Sequence, residues 1–163
     1  MTSPRTVLAQ ALHSEIENLH KVRREILDYR NKFGDSDPAD MLLTRGIASA
    51  LTDVYQGAEN AFQRIGRTTE EGLPSGSEWH RLLLDQMTRE VSGVRPSVIS
   101  NNTRQALEEF RKFRHRTRHI YGFDIEWKEM RLLLQIAENT IDLLVSDLES
   151  VCTVLEQIDE DEN

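Results

Sequence analysis

The sequence has little of what many functional classes require. Its 163 residues include a single cysteine, Cys152, so the chain cannot form an internal disulfide or a zinc site built on Cys-x-x-Cys pairs. It has no Gly-rich phosphate loop and no Gly-x-Ser-x-Gly segment, which excludes the kinase and α/β-hydrolase classes. Its longest apolar runs, such as Leu82-Leu83-Leu84, are far too short to cross a bilayer of about 30 Å, and no signal-peptide pattern is present. We therefore expect a cytoplasmic protein that does not enter a membrane, with a buried thiol at Cys152.

No segment alternates apolar and polar residues with the period of two that a β-strand needs. Apolar residues recur instead every three or four positions, as they do on the buried face of a helix. The predicted helices cover residues 7–33, residues 41–65 with an end between Gly66 and Gly72, residues 79–87, a segment opened by Asn101, Asn102 or Thr103 and ending near Gly122, and residues 127–155. The pattern and the short connections predict an all-α fold, an up-and-down antiparallel bundle of four to five helices.

Several residues between these segments are suited to ending or capping helices. Gly34 predicts the end of the first helix, and Asp37-Pro38 suit the start of the second. Ser77 and Asp124 are candidate caps for the third and last helices. The length fits one domain over residues 1–163, with flexible ends at about 1–5 and 158–163. Trp79 and Trp127 are expected as core anchors, and His80 is given no catalytic role.

One short segment has the opposite charge to the rest of the chain. The net charge is −8, yet residues 111–119 contain five of the twenty Lys and Arg residues and two of the five histidines. A run of like charges repels itself, and a bound polyanion would offset that cost. The five cations are Arg111, Lys112, Arg114, Arg116 and Arg118. We call these five residues the basic cluster and expect the functional site there.

A motif lies within this segment. Arg114, four residues, His119, one residue and Tyr121 have the order of the Arg-x-x-x-x-His-x-Tyr motif, with the polar His115 directly after the arginine. Residues 121–125 read Tyr-Gly-Phe-Asp-Ile, similar to a Tyr-x-Phe-Asp-Ile segment. In these features the chain resembles HepT-type toxins of the HEPN-domain superfamily, over roughly residues 5–155, including the Trp79-His80 helix. It departs from them at residues 116–118, Arg-Thr-Arg, where apolar residues are common.

The resemblance implies a metal-independent ribonuclease toxin that acts on RNA, with tRNA as one candidate substrate. It implies a homodimer whose two motif helices meet in a cleft, and no cofactor. It also implies a partner antitoxin, an MntA-like nucleotidyltransferase that AMPylates Tyr121. Arg114 and His119 would be the catalytic residues.

The residues themselves suit that chemistry, because RNA carries its own nucleophile, the 2′-hydroxyl, and needs only proton transfer and charge stabilisation. His119 can move a proton near neutral pH, and Arg114 can hold two phosphate oxygens in a planar fork. Five residues rotate a straight helix by about 140°, so the two side chains would diverge unless the helix ends between them or a second subunit supplies the partner. The expected substrate-binding residues are Arg111, Lys112, His115, Arg116, Arg118 and Tyr121.

Other interpretations of the same residues remain open. The basic cluster can be a helix C-terminus with cations against the macrodipole and a Glu108–Lys112 pair. His115 and His119 have the i, i+4 spacing of a zinc pair but lack a third ligand. Tyr121 can anchor the helix end to the core. At the level of function, the alternatives are a catalytically inactive HEPN module that binds a nucleotide or a partner protein, and a helical oligomerisation protein.

Overall fold

The structure, a computed structural model, describes residues 2–69 and 72–161. The helices in this part of the chain are α1 (Pro4–Phe33), α2 (Met41–Thr69), α3 (Trp79–Met87), α4 (Asn101–Thr117) and α5 (Trp127–Asp161), with a 3₁₀ turn at Gly122–Asp124. Residues 2–69 and 72–161 form no β-strand, and only an isolated bridge joins Val91 to Arg95. The predicted all-α class is confirmed.

Contacts between the long helices fix their relative directions. Near one end of α1, Ser3 donates a hydrogen bond to Asp159 of α5, and near the other end Arg30 donates to Glu138. The partner number falls as the α1 number rises, so α1 and α5 run in opposite directions. Helices α4 and α5 are antiparallel by the same test, since Thr103 bonds to Asp147 and Arg116 pairs with Glu129. The predicted helical bundle is therefore present.

The core is built from the apolar faces of all five helices. Its largest fully buried side chains include Tyr55, Phe62, Phe110 and Phe113, which come from α2 and α4. Burying a side chain of this size contributes roughly 1.5–3 kcal/mol, so these two helices are strongly coupled. Cys152 is buried as predicted, and burial raises the pKa of its thiol to about 11. The thiol therefore stays protonated at neutral pH.

The first connection confirms one predicted signal and corrects another. Gly34 ends α1 with a positive φ of 66°, and its N–H donates to the Arg30 carbonyl. Helix α2 begins only at Met41, so Pro38 lies before it rather than in its first turn. Its cap is Asp40. The Oδ1 atom of Asp40 accepts hydrogen bonds from the N–H groups of Leu42 at 2.9 Å and Leu43 at 3.1 Å. The connection contains three aspartates, Asp35, Asp37 and Asp40, and the one nearest the apolar pattern is used.

The later helix ends also differ from the predictions. Helix α3 begins at Trp79 with Glu78 before it, so Ser77 does not cap it. Ser100 caps α4, one residue before the predicted candidates. Helix α4 ends at Thr117 rather than near Gly122. Asp124 lies in the 3₁₀ turn, three residues before α5 begins, and so does not cap that helix.

The two chain ends meet at one end of the bundle. Helix α5 continues to Asp161, and the Asp159 carboxylate accepts hydrogen bonds from Ser3 at 2.5 Å and Thr6 at 2.6 Å. These bonds lower the pKa of Asp159. Flexibility of the ends stays a prediction, and residues 1, 162 and 163 lie outside the described part. Within the described part, no helix has the length and apolar character needed to span a membrane.

Candidate functional site

The predicted site lies where α4 ends. The N–H of Arg118 and the hydroxyl of Thr117 both donate to the Arg114 carbonyl, and the N–H of His119 donates to the Arg116 carbonyl. These bonds satisfy carbonyl groups that the end of the helix would leave unpaired. The helix thus stops between Arg114 and His119, which is one of the two arrangements that the motif spacing required. The structure thereby separates an inner part of the motif, on α4, from an outer part beyond it.

Arg114 forms the inner part and points into the bundle. Its side chain is only 12% exposed. One guanidinium nitrogen, Nη2, donates to Gln56 Oε1 at 2.6 Å, and Nη1 lies 3.7 Å from Glu59 Oε1. Both partners come from α2. The motif arginine is therefore held in one orientation by an amide and a carboxylate.

Glu59 is the centre of this inner network. Its side chain is 4% exposed, and its second oxygen, Oε2, accepts a hydrogen bond from His80 Nδ1 at 2.5 Å. Tyr55 donates its hydroxyl to the His80 carbonyl at 3.3 Å, and burial raises the pKa of that hydroxyl, so it remains a donor. The His80 ring also stacks on Trp79 at 3.7 Å. A buried carboxylate thus joins α2 to both α3 and α4, which satisfies the general requirement that buried charges have partners.

The site also contains three residues that no sequence motif marks, Gln56, Glu59 and His80. A signal for Glu59 was present, because it falls within the apolar stripe of α2, four residues after the buried Tyr55 and three before the buried Phe62. A charged residue on a buried face is a reason to search for a partner. The identity of that partner, 55 positions further along the chain, carries no local signal.

Most of the basic cluster is neutralised by carboxylates. Arg111 donates to both oxygens of Glu108, at 2.7 and 2.8 Å, which lowers the pKa of Glu108. The predicted Glu108–Lys112 pair is therefore wrong. The remaining pairs are Lys112–Glu109 at 3.6 Å, Arg114–Glu59 and Arg116–Glu129. In residues 2–69 and 72–161, Arg118 is the one member of the cluster without an ion pair.

The outer part of the motif faces solvent. His119 is exposed, and its ring lies edge-on to that of His115, with 5.1 Å between centroids. Tyr121 is 71% exposed, so it does not anchor the helix end to the core. Its ring stacks on that of Phe123, which is 59% exposed, with 5.2 Å between centroids and 14° between planes. Imidazole, phenol and phenyl rings are thus all open to a ligand.

Arg45 of α2 joins this outer part, although the sequence analysis did not include it. Its side chain lies against Gly122, so closely that a Cβ atom at Gly122 would be 2.8 Å from Arg45 Nε. Arg45 is exposed and has no ion pair among the described residues. A glycine between two aromatic residues was the available signal, because glycine often marks a close approach of another group.

No metal-binding cluster accompanies the motif. The described ranges contain no group of three or more His, Cys, Asp or Glu side chains that could hold a metal ion.

A cavity of about 480 Å³ lies at the opposite end of the bundle, between α1, α2 and α5, and is lined by residues such as Leu8, Ile65 and Leu155. It contains no residue of the motif.

Comparison with known proteins gives a family match. The sequence model of a family described as HepT-like protein matches residues 46–155, which is more than half of the chain. The matched range includes the whole motif and the inner network of Gln56, Glu59, His80 and Arg114, whereas Arg45 lies one residue before it. No curated protein and no solved structure matches the chain.

Proposed function

Because this chain belongs to the HepT-like family of the HEPN superfamily, we propose that it is a ribonuclease toxin whose site lies at the end of α4. The family comprises HEPN-type toxin modules, which are associated with toxin–antitoxin systems. The observation that carries the proposal is the end of α4 at Thr117, between the motif arginine and histidine. It frees His119 from the helix while Arg114 remains fixed within it.

His119 is the proposed proton-transfer group. Its neutral imidazole takes the proton of an RNA 2′-hydroxyl, and the 2′-oxygen then attacks the adjacent phosphorus. The bond from phosphorus to the 5′-oxygen breaks, and that oxygen leaves with a proton from the protonated His119 of a second subunit. The products are a 2′,3′-cyclic phosphate and a free 5′-hydroxyl. A homodimer with two motif helices in one cleft supplies both histidines.

Arg114 is the proposed electrostatic group. A guanidinium has five N–H donors, and Gln56 and Glu59 occupy only part of them. The remaining donors are available to the phosphate oxygens as negative charge builds up in the transition state. Because its two α2 partners fix the orientation beforehand, little reorganisation is needed at that moment.

The RNA backbone is proposed to lie along the outer part of the motif. Arg118 is exposed there, next to His119 in the chain, and has no ion pair within residues 2–69 and 72–161. Arg111, Lys112 and Arg116 were also predicted to bind RNA, and each would have to exchange a carboxylate partner to do so. We therefore assign Arg118 the main backbone contact, and phosphate contacts of this kind weaken as salt rises.

The antitoxin is proposed to act at Tyr121. Its side chain is 71% exposed, so its hydroxyl is accessible to an MntA-like nucleotidyltransferase. AMPylation would add a bulky anion beside His119 and Arg118. That group would compete with RNA for the same cations. The toxin would thus be inhibited while its fold stays unchanged.

A cleavage assay tests the proposed activity. Purified protein is incubated with total tRNA and EDTA, together with the Arg114→Ala and His119→Ala variants, and the products are separated on a denaturing gel. We expect shortened RNA from the wild type and none from either variant. His13→Ala is the matched control, because His13 is an exposed histidine on α1 that pairs only with the exposed Glu156. Cleavage that persists in His119→Ala would contradict the proposed role.

A second candidate function is supported by Glu59. Its carboxylate faces the motif arginine at 3.7 Å and competes with a phosphate for the same guanidinium. This arrangement favours a catalytically inactive HEPN module that binds a nucleotide or scaffolds a partner. Such a module would leave tRNA uncut in the assay above yet be thermally stabilised by nucleotides. Stabilisation without cleavage would decide for this candidate.

A further inference from the structure

The exposed aromatic pair is the most unusual feature of the outer surface. Tyr121 and Phe123 are both more than half exposed, yet their rings stack nearly parallel, at 14°. Each ring covers one face of the other, and the outer faces remain in water. The ring surface that stays in water gains no free energy of burial. A third flat ring that stacks on it would cover this surface.

Arg45 reaches the same place from another helix. Its guanidinium lies against Gly122, the residue between the two aromatics. A side chain at Gly122 would displace it, so the absence of a Cβ atom there keeps the cation beside the rings. Arg45 and Arg118 both lack ion-pair partners among the described residues, whereas the acidic Asp124 of the same turn is exposed. Arg45 and Arg118 are thus two cations of the outer part whose charge is not offset by an ion pair in the described ranges.

We propose that Tyr121, Phe123 and Arg45 form a subsite for one unpaired nucleotide of single-stranded RNA, next to the motif. The nucleobase stacks on the open face of the aromatic pair, and Arg45 binds the phosphate of the same nucleotide. This inference rests on the proposed action on RNA and names the form of RNA that the site takes. Base stacking on aromatic side chains together with cationic contacts to the backbone is a general mode of single-strand binding.

The geometry favours an unpaired nucleotide over a base-paired nucleotide and over a second copy of the chain. A base within a duplex has both faces covered by its neighbours, so it cannot stack on a side chain without leaving the helix. The two aromatic side chains supply at most about 500 Å², short of the about 800 Å² per partner of a stable interface, so they cannot by themselves form the contact between the two subunits of the proposed homodimer. Unpaired cations beside the rings also suit a polyanion better than an identical cationic surface.

The first test measures binding separately from cleavage. Fluorescence anisotropy follows a labelled single-stranded 2′-O-methyl oligoribonucleotide, which lacks the nucleophilic hydroxyl and cannot be cut. We expect Phe123→Leu to raise the Kd about 5-fold or more, and Phe123→Trp to restore binding. A duplex of the same sequence should bind more weakly to the wild type and respond little to Phe123→Leu. Phe33→Leu is the matched control, because Phe33 is a partly exposed phenylalanine on α1 that packs on Tyr29.

A second pair of variants isolates the cation. Arg45→Ala should weaken binding and reduce the slope of log Kd against log salt by about 0.7, the contribution of one phosphate contact on a single strand. Gly122→Ala should give the same change, because its new methyl group displaces Arg45 without removing any charge. Its melting temperature should stay that of the wild type, since the displaced group is the end of a flexible side chain.

The outcomes separate this subsite from the catalytic proposal. Wild-type affinity in Phe123→Leu, or equal affinity for single strands and duplex, would overturn the subsite even if tRNA is cleaved. A loss of dimer mass in Phe123→Leu by sedimentation, with unchanged affinity per chain, would show instead that the rings contact a second copy. If tRNA is not cleaved but the variants weaken binding as expected, the subsite stands and the ribonuclease proposal fails.

Discussion

The two parts of the motif differ in how their charges are held. In the inner part, Arg114 lies inside the bundle with Gln56 and Glu59, and Glu59 is shared with His80. In the outer part, Arg118 and the exposed His119 have no carboxylate partner among the described residues. A single run of basic residues therefore contains cations that hold helices together and one cation, Arg118, that has no ion pair in the part of the chain that the structure describes. The charge of a sequence segment is a guide to function only after its partners in space are counted.

The largest effect in this comparison is expected from the inner carboxylate. Glu59→Ala leaves the partly buried Arg114 and His80 without their shared acceptor, and breaking a buried charge pair typically costs 3–5 kcal/mol. We expect the free energy of unfolding, measured by urea denaturation, to fall by about 3 kcal/mol. Glu109→Ala is the control, because Glu109 is exposed and pairs only with Lys112. A loss below about 1 kcal/mol for Glu59→Ala would mean that the inner network is not structural.

Replacing each of the two arginines by alanine is expected to show the same difference between the inner and outer parts, with a smaller effect. Arg114→Ala removes the partner of a buried carboxylate and an amide, so the free energy of unfolding should fall by about 2 kcal/mol. Arg118→Ala removes an exposed, unpaired side chain and should change it by less than about 0.5 kcal/mol. Both changes are followed by urea denaturation at neutral pH.

A double-mutant cycle decides whether Glu59 and Arg114 act as one unit. If they do, the variant carrying both alanines should be more stable than the sum of the single losses predicts, with a coupling of about 1–2 kcal/mol. Additive losses would contradict the pairing. Equal losses in Arg114→Ala and Arg118→Ala would remove the distinction between the inner and outer parts altogether.

The fold was predictable because its signals are local. The spacing of apolar residues placed every long helix, and Gly34 marked the first helix end. Errors arose at caps, where neighbouring residues of similar chemistry compete. Asp40 is used instead of Asp37, and Ser100 instead of Asn101, because the choice depends on where the helix meets the core.

The site was predictable only in part, because its partners are distant in sequence. The motif residues could be named from their order, and the family match covers them. Whether a cation is free could not be foreseen, since Glu59 and Glu129 reach Arg114 and Arg116 from other helices. Arg45 has no motif of its own and enters the site only through its contact with Gly122. Such pairings follow from how the helices pack, which local patterns do not specify.

The smallest expected effect concerns Arg111 and Glu108, an ion pair within α4 that is neither deeply buried nor free. The hydrogen bonds from Arg111 hold the pKa of Glu108 below its ordinary value of 4.5. A carboxyl with a lowered folded-state pKa stabilises the fold above its unfolded pKa, and this stability is lost as pH falls through the folded value. We therefore expect the wild type to exceed Glu108→Gln in free energy of unfolding by about 1 kcal/mol or less at pH 7.

That difference should shrink when urea denaturation is repeated well below pH 4, because Glu108 is then protonated in both states. The control is the same substitution in an Arg111→Ala background, where the largest cause of the lowered pKa is gone and the pH dependence of the difference should become much smaller. A difference that persists unchanged in acid would show that Glu108 acts through packing alone. The Arg111–Glu108 pair would then contribute too little to stability to oppose the exchange of Glu108 for an RNA phosphate.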